Sequence, residues 1–191
     1  MRTILKLTAS FLLFAALSCT KESAKSKPVP AGSVDMNNEV TYHIGDAHGG
    51  GIIIYLDSTK KHGLIAATTD QGTGVSWYNG SYVVTGAKGT AIGAGAANTR
   101  KIIKAQGSGS YAAKLCKAYR GGSFTDWYLP SKGELNQMYL HRNKLTGLEA
   151  TNYWSSTESD QNNAYDQEFG GGFQFTDQKS FTLRVRAVRS F

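Results

Sequence analysis

Three segments in the last third of the chain constrain its fold more than any other feature. They are DWYLPSKGELNQMY at 126–139, NYWSSTES at 152–159 and LRVRAVRSF at 183–191. The first combines a short strand with a helix start, and the second is a strand signal. The third alternates apolar and basic residues, as a half-buried strand does. Each segment therefore predicts a defined structural element.

The first segment predicts a strand that stops abruptly and a helix that begins directly after it. Pro130 ends the strand, because proline has no amide hydrogen for the strand ladder. Ser131 and Glu134 follow in the S-x-x-E spacing of a capping box, in which each side chain satisfies a backbone amide at the helix start. We expect Ser131 and Glu134 to be structural. Trp127, and Trp154 in the second segment, are the expected core anchors.

The third segment predicts a strand in which one arginine points inward. Alternate residues from Leu183 to Ala187 are apolar, and arginines lie between them. Arg189 then falls on the apolar side of this alternation. Either a β-bulge shifts the register, or Arg189 is buried beside a carboxylate, with Asp126 or Glu134 as candidate partners. We favour the ion pair.

The remainder of the domain adds a hairpin and two more helices. The apolar run at 52–56 and the segment at 62–70 predict the hairpin. Asn98 is expected to cap a helix at 99–106, and apolar residues recur at helical spacing between 111 and 119. Residues 158–167 are expected to form a polar loop. Several β segments with about three helices between them predict a single α+β domain.

The N-terminal residues predict export and lipid attachment. Residues 1–19 combine positive charge with an apolar stretch too short to span a bilayer, and small residues precede Cys19. This order resembles a bacterial lipobox, so we expect a lipoprotein signal peptide that leaves an acylated Cys19. An ordinary secretory signal is the alternative. Residues 20–39 are polar and predict a flexible tether, and residues 40–191 form the expected folded domain.

The residues of the domain favour no catalytic, metal or cofactor chemistry. Cys116 lies in a helical pattern without a nearby base, so we expect a core residue and not a catalytic thiol. The histidines lack the spacing of a zinc site. The segment at 158–166 fails the EF-hand pattern, and a solvated loop is expected there, with an irregular calcium site as the alternative. A carboxylate pair for glycan hydrolysis stays open, because its separation depends on the fold.

The charge distribution predicts a basic surface. The chain carries a formal net charge of +7, and no acidic residue lies between Asp70 and Asp126. A stretch of one sign attracts polyanions, although a solvated helical face is the alternative. Nucleic acid is not an expected partner of an exported lipoprotein, so anionic polysaccharides are favoured. The candidate ligand-binding residues are Arg100, Lys101, Lys104, Lys114, Lys117 and Arg120.

The three segments, with GGIIIYLD, HGLIAATTDQ and IGAGAANTRKII ahead of them, resemble the Lcl C-terminal domain family over roughly 42–191. The resemblance implies a compact α+β fold similar to C-type lectins, with the first and last strands paired. It also implies adhesion to sulfated glycosaminoglycans through a basic surface, by a trimer. The sequence of this chain contains no collagen-like Gly-x-y repeat that would enforce a trimer.

Together these features predict a lipid-anchored binding module of the bacterial cell envelope, at the outer membrane and exposed on the cell surface. Its expected ligand is an anionic polysaccharide or glycosaminoglycan-like polymer, bound without cofactor and without catalysis. The lipid at the N-terminus would contact the membrane, and a homo-oligomer is compatible with the sequence. The first alternative is a structural or assembly subunit of the envelope that binds another protein. The second is a glycan hydrolase.

Overall fold

The computed structural model describes residues 40–191 and the two-residue strand Ser33–Val34. The predictions of a signal peptide and of lipidation at Cys19 lie outside the described residues, as does most of the predicted tether. Within that tether, the strand β1 (Ser33–Val34) pairs with β2 (Val40–Thr41). In the described part of the chain, no helix is both long enough and apolar enough to cross a membrane.

Nine further strands and three α-helices form the body of the domain in the described residues. The strands are β3 (Ala47–His48), β4 (Gly51–Leu56), β5 (Gly63–Ala67), β6 (Gly72–Ser76), β7 (Asn152–Glu158), β8 (Asn163–Glu168), β9 (Gln174–Gln178), β10 (Thr182–Val185) and β11 (Val188–Ser190). The helices are α1 (Gly95–Gln106), α2 (Ala112–Ala118) and α3 (Lys132–Leu140). All three helices lie between β6 and β7 in sequence, which confirms the α+β prediction.

Two sheets organise these strands. The five-stranded sheet has the order β6-β10-β7-β8-β9, and the four-stranded sheet has the order β11-β5-β4-β3. Neighbouring strands are antiparallel except β10 and β7, which are parallel. The β4–β5 hairpin confirms the prediction from the apolar run at 52–56, where β-branched isoleucines favour a buried strand. The last strand pairs with β5, so the implied pairing of the first and last strands is wrong.

The end of the chain changes sheets, and this change explains the irregular alternation of the third segment. β10 belongs to the five-stranded sheet and β11 to the four-stranded one, with Arg186 and Ala187 between them. The transition resets which side chains point inward, so Val188 and Arg189 are both buried. Arg189 pairs with Asp126, as Nε lies 2.8 Å from Oδ1 and Nη2 lies 2.9 Å from Oδ2. The favoured ion pair is therefore confirmed.

The core contains the three tryptophans of the chain, and each is fully buried. The indole nitrogen of Trp154 donates to the carbonyl of Val75 at 2.8 Å, and that of Trp127 donates to Gly121 at 3.1 Å. A buried indole needs such an acceptor, because an unpaired buried N–H costs free energy. Trp127 and Trp154 are thus confirmed as core anchors.

The helix starts confirm one prediction and correct another. The hydroxyl of Ser131 accepts from the Glu134 amide at 3.2 Å, and the Glu134 carboxylate accepts from the Ser131 amide at 2.7 Å, which completes the capping box of α3. Asn98, in contrast, does not cap α1. The helix begins at Gly95, and the Asn98 side chain is buried inside it, where it holds both backbone polar groups of Gly89.

The predicted polar loop at 158–167 is shorter in the structure, because Glu158 ends β7 and the second half of the loop forms β8. This strand is rich in Asn, Asp and Gln, residues that weaken any strand signal in sequence. It is nevertheless a strand, since β7 and β9 pair with it on both sides. The turn that remains is held by Asp160, whose carboxylate accepts from the amides of Asn162 and Asn163.

Candidate functional site

The basic residues of α1 lie on the solvent side of that helix. Arg100, Lys101 and Lys104 are all exposed. At 3.6 residues per turn these three positions fall within a sector of roughly 100°, and the buried residues of the helix point the opposite way. The fold therefore presents three positive charges side by side on a rigid element.

The other three predicted residues lie on α2 and directly after it. Lys114 on α2 is half-buried, whereas Lys117 on α2 and Arg120, which follows the helix, are exposed. Helices α1 and α2 pack against each other. Between them, Arg100 and Lys117 line one cleft of about 280 Å³, whose wall includes Trp127 and Tyr128. We call the six residues the cationic surface.

Within the described residues, none of the six cations of this surface forms an ion pair with a carboxylate. Three of them donate to backbone carbonyls instead: Lys101 to Gly86 at 2.9 Å, Lys117 to Thr125 at 2.9 Å, and Arg120 to Lys117 and Tyr119. A carbonyl orients a cation but does not neutralise its charge. The positive potential therefore remains available to an anion in solution.

Asp126 is the acidic residue of the cleft, and it already has a partner. Its carboxylate holds Arg189. The hydrogen bond from Arg189 lowers the pKa of Asp126, burial opposes this shift, and the charge of Lys117 adds to the lowering. Asp126 is thus ionised at neutral pH and is paired with Arg189 near the C-terminus.

Other cations are buried and paired, so they belong to the architecture. Arg186 is almost fully buried, and its Nε donates to Asp70 at 2.6 Å, although the sequence alternation placed it on the polar side. Lys179 and Glu158 are both fully buried, with Nζ 2.7 Å from Oε1. Burial alone would raise the pKa of Glu158, but hydrogen bonds from Lys179 and from two backbone amides lower it.

The acidic residues of the segment at 158–166 do not converge on one point. Glu158 binds Lys179, Asp160 holds its own turn, and Asp166 accepts from Asn152 at 2.6 Å. Among the residues that the structure describes, no group of three His, Cys, Asp or Glu side chains could hold a metal ion. Cys116 is fully buried beside α1, and burial raises the pKa of its thiol, which leaves the sulfur protonated.

A second concave region was not predicted. It is a groove of about 610 Å³ between α3 and the β8–β9 hairpin, lined by Lys132, Asn136, Phe173 and Gln174 among others. The sequence offered one signal for it, the three phenylalanines of the segment FGGGFQF, of which Phe173 is 67% exposed. Its polar residues come from separate elements, so no motif marked them.

Comparisons with known proteins agree with this architecture. The model of the Lcl C-terminal domain family matches residues 66–189. A search of the curated proteins gives no match. Among solved structures, a fimbrial protein from Bacteroides ovatus ATCC 8483 is similar, with a TM-score of 0.52 and 16% identity over 84% of this chain. The chain spans 47% of that protein's length, and at this identity the likeness concerns the fold alone.

Proposed function

The chain belongs to the Lcl C-terminal domain family, and on this premise we propose that it is a cell-surface domain of the adhesin type whose cationic surface binds anionic glycans. The ligand class is a polysaccharide that carries sulfate or uronic-acid groups. Binding requires no cofactor and no catalysis. The protein acts as a receptor that holds the cell envelope against such a polymer.

One observation carries the proposal: the exposed cations of α1 and α2 lack carboxylate partners among the described residues, whereas the buried cations of the fold have them. Arg100 and Lys117 flank the same cleft, so a single anionic group could contact both side chains. A guanidinium beside an ammonium is a recurrent arrangement for sulfate and carboxylate groups. The remaining four residues extend the positive surface along a polymer.

We propose further that a lipid on Cys19 anchors the domain in the bacterial outer membrane, exposed at the cell surface. Residues 20–32, which precede the paired strand β1, would then act as a spacer of roughly 20 Å, as expected for a flexible chain of that length. A spacer of this kind lets the cationic surface meet a polymer outside the membrane. If the Cys19→Ala variant still partitions into detergent, the anchor is not this lipid.

A binding experiment with matched charge changes tests the proposed ligand class. The full chain in detergent is titrated with a sulfated glycosaminoglycan and with its desulfated, N-acetylated form. The test variant is Arg100→Glu with Lys104→Glu, and the control is Lys60→Glu with Lys144→Glu, which changes the net charge equally at exposed lysines elsewhere. We expect the test variant to bind the sulfated polymer at least about tenfold more weakly and to lose part of the salt dependence.

Two results would contradict the proposal. Equal weakening in both variants would mean that net charge, and not this surface, attracts the polymer. No binding by the unaltered chain, together with a stable homo-oligomer that buries α1 and α2, would favour an assembly subunit of the envelope.

A further inference from the structure

The groove between α3 and the β8–β9 hairpin has a different chemistry from the cationic surface. Its lining combines amide, hydroxyl and aromatic side chains, namely Asn136, Gln174, Thr90 and Phe173, with one lysine, Lys132. None of its lining residues is Asp or Glu. A hydrolytic carboxylate pair is thus not part of this groove, and its residues are suited to binding.

A buried amide determines which way the groove amides point. Gln167 is fully buried, and its amide nitrogen donates to Asn136 Oδ1 at 2.9 Å and to the Gly172 carbonyl at 3.0 Å. Its oxygen accepts from Gln174 Nε2 at 3.2 Å, and that nitrogen also donates to the Lys132 carbonyl at 3.0 Å. Both hydrogens of each glutamine amide are therefore used within the protein.

The network leaves one donor and one acceptor unused in the described part of the chain. The oxygen of Asn136 is committed to Gln167, so its NH₂ group is the free end of that amide. The nitrogen of Gln174 is committed twice, so its Oε1 is the free end. An amide held from behind by a buried partner presents its free end without losing conformational entropy on binding.

An exposed aromatic ring completes the groove. Phe173 is 67% exposed, and its ring centroid lies 6.4 Å from that of Phe175. The C–H face of a sugar ring packs on such a phenyl ring, while its hydroxyl groups need paired donors and acceptors beside it. The amine of Lys132 is held away from the Asn136 and Gln174 amides, because it lies 4.2 Å above the ring of Tyr165.

We propose that this groove is a second binding site, for an uncharged hexopyranose unit. Phe173 stacks on one face of the sugar. The Asn136 NH₂ group donates to one ring hydroxyl, and Gln174 Oε1 accepts from a neighbouring one. The site is independent of the cationic surface, and its binding is insensitive to salt because no ion pair forms.

The variant Asn136→Asp tests the role of the amide with little structural change. An aspartate keeps an oxygen as the acceptor for Gln167, but it replaces the outward NH₂ donor by an acceptor. Binding of methyl hexosides (glucoside, galactoside and mannoside) to the full chain is followed by the chemical shifts of Gly172 and Gln174, which line the groove in every variant, in NMR spectra. We expect at least one methyl hexoside to bind, and Asn136→Asp and Phe173→Ala each to weaken it about tenfold or more.

The charge variant Arg100→Glu with Lys104→Glu serves as the control, and we expect it to bind the hexoside as the unaltered chain does. This control separates failure of the groove from failure of the cationic surface. The proposal is overturned if no methyl hexoside shifts these resonances at millimolar concentration. It is equally overturned if Asn136→Asp binds as well as the unaltered chain, or if raised salt abolishes hexoside binding.

Discussion

The chain uses the same basic residue types in two opposite ways. On α1, on α2 and directly after α2, the six cations of the cationic surface have no carboxylate partner in the described residues. In the C-terminal part of the chain, Lys179, Arg186 and Arg189 are buried, and each binds a carboxylate: Glu158, Asp70 and Asp126 respectively. A buried cation needs a partner because desolvation is expensive, whereas an exposed one keeps its water. The presence of a partner therefore separates architecture from the proposed binding residues.

Removing one member of a fully buried pair should have the largest effect on stability. Lys179 donates to Glu158, Val83 and Gln161, so all three ammonium hydrogens are used. We expect Lys179→Met to lower the free energy of unfolding by about 3–5 kcal/mol, because Glu158 is left charged and buried, with the exposed amine of Lys88 at 3.9 Å as its remaining cation in the described residues. Urea denaturation at neutral pH measures this loss.

The double variant Lys179→Met with Glu158→Gln is the control for this loss. It removes the orphan charge while the new amide oxygen still accepts from backbone, so part of the stability should return. If Lys179→Met is as stable as the unaltered chain, the buried pair does not stabilise the fold, and the distinction between buried and exposed cations is contradicted.

Asp166 sharpens the comparison, because in the described part of the chain this buried carboxylate has neither a cation nor the backbone amides that satisfy the buried carboxylate of Glu134. It is 1% exposed, and its Oδ1 has no hydrogen-bond partner among the described residues. Burial raises its pKa from 3.8 to about 6, the hydrogen bond from Asn152 opposes this shift, and the charge of Asp177 adds to it. The folded state thus holds the proton more tightly than the unfolded state does.

This raised pKa predicts a pH-dependent gain in stability on substitution. For a raised carboxylate pKa, the unfavourable contribution is absent below about 3.8, grows as the pH rises, and is complete above about 6. We expect Asp166→Asn to stabilise the fold by about 1–3 kcal/mol at pH 7.5 and by little at pH 4. Thermal unfolding of both proteins across this pH range measures the difference. A stability difference that stays constant at all pH values would contradict the raised pKa of Asp166.

A smaller effect is expected where a buried cation meets an exposed carboxylate. The side chain of Arg189 is 9% exposed but that of Asp126 is 55% exposed, so water screens part of the attraction. Arg189 also lies over the ring of Phe124, 3.8 Å from its centroid. We expect Arg189→Ala to cost about 1–2 kcal/mol.

Acid should weaken this pair. The pKa of Asp126 is lowered in the folded state, so its contribution is present above the unfolded pKa and is lost as the pH falls through the folded one. The difference between Arg189→Ala and the unaltered chain should therefore shrink in strong acid. Unchanged stability of Arg189→Ala at neutral pH would refute a structural role for the pair.

The sequence predicts those features that depend on neighbours along the chain. The capping box at Ser131 and the tryptophan anchors follow local patterns, and the inward side of Arg189 follows from a break in the alternation. The contact between Arg186 and Asp70 cannot be predicted from local patterns, because only the change of sheets after β10 turns the Arg186 side chain toward Asp70. The groove is beyond sequence reasoning for the same reason, since Asn136, Gln167 and Gln174 belong to three different elements.

The exposed cations should show the smallest effect on stability and differ only in binding. Replacing any one of them by alanine is expected to change the free energy of unfolding by less than about 0.5 kcal/mol, because no buried group loses a partner.

The effect of these substitutions on binding should instead depend on where each cation lies relative to the cleft. Arg100 lines the cleft and makes no hydrogen bond within the described residues, whereas the amine of Lys101 already donates to Gly86. Arg100→Ala should therefore weaken binding of a sulfated polysaccharide more than Lys101→Ala does. Titration of both variants at equal ionic strength measures the order, and the reverse order would show that the cleft is not the centre of the cationic surface.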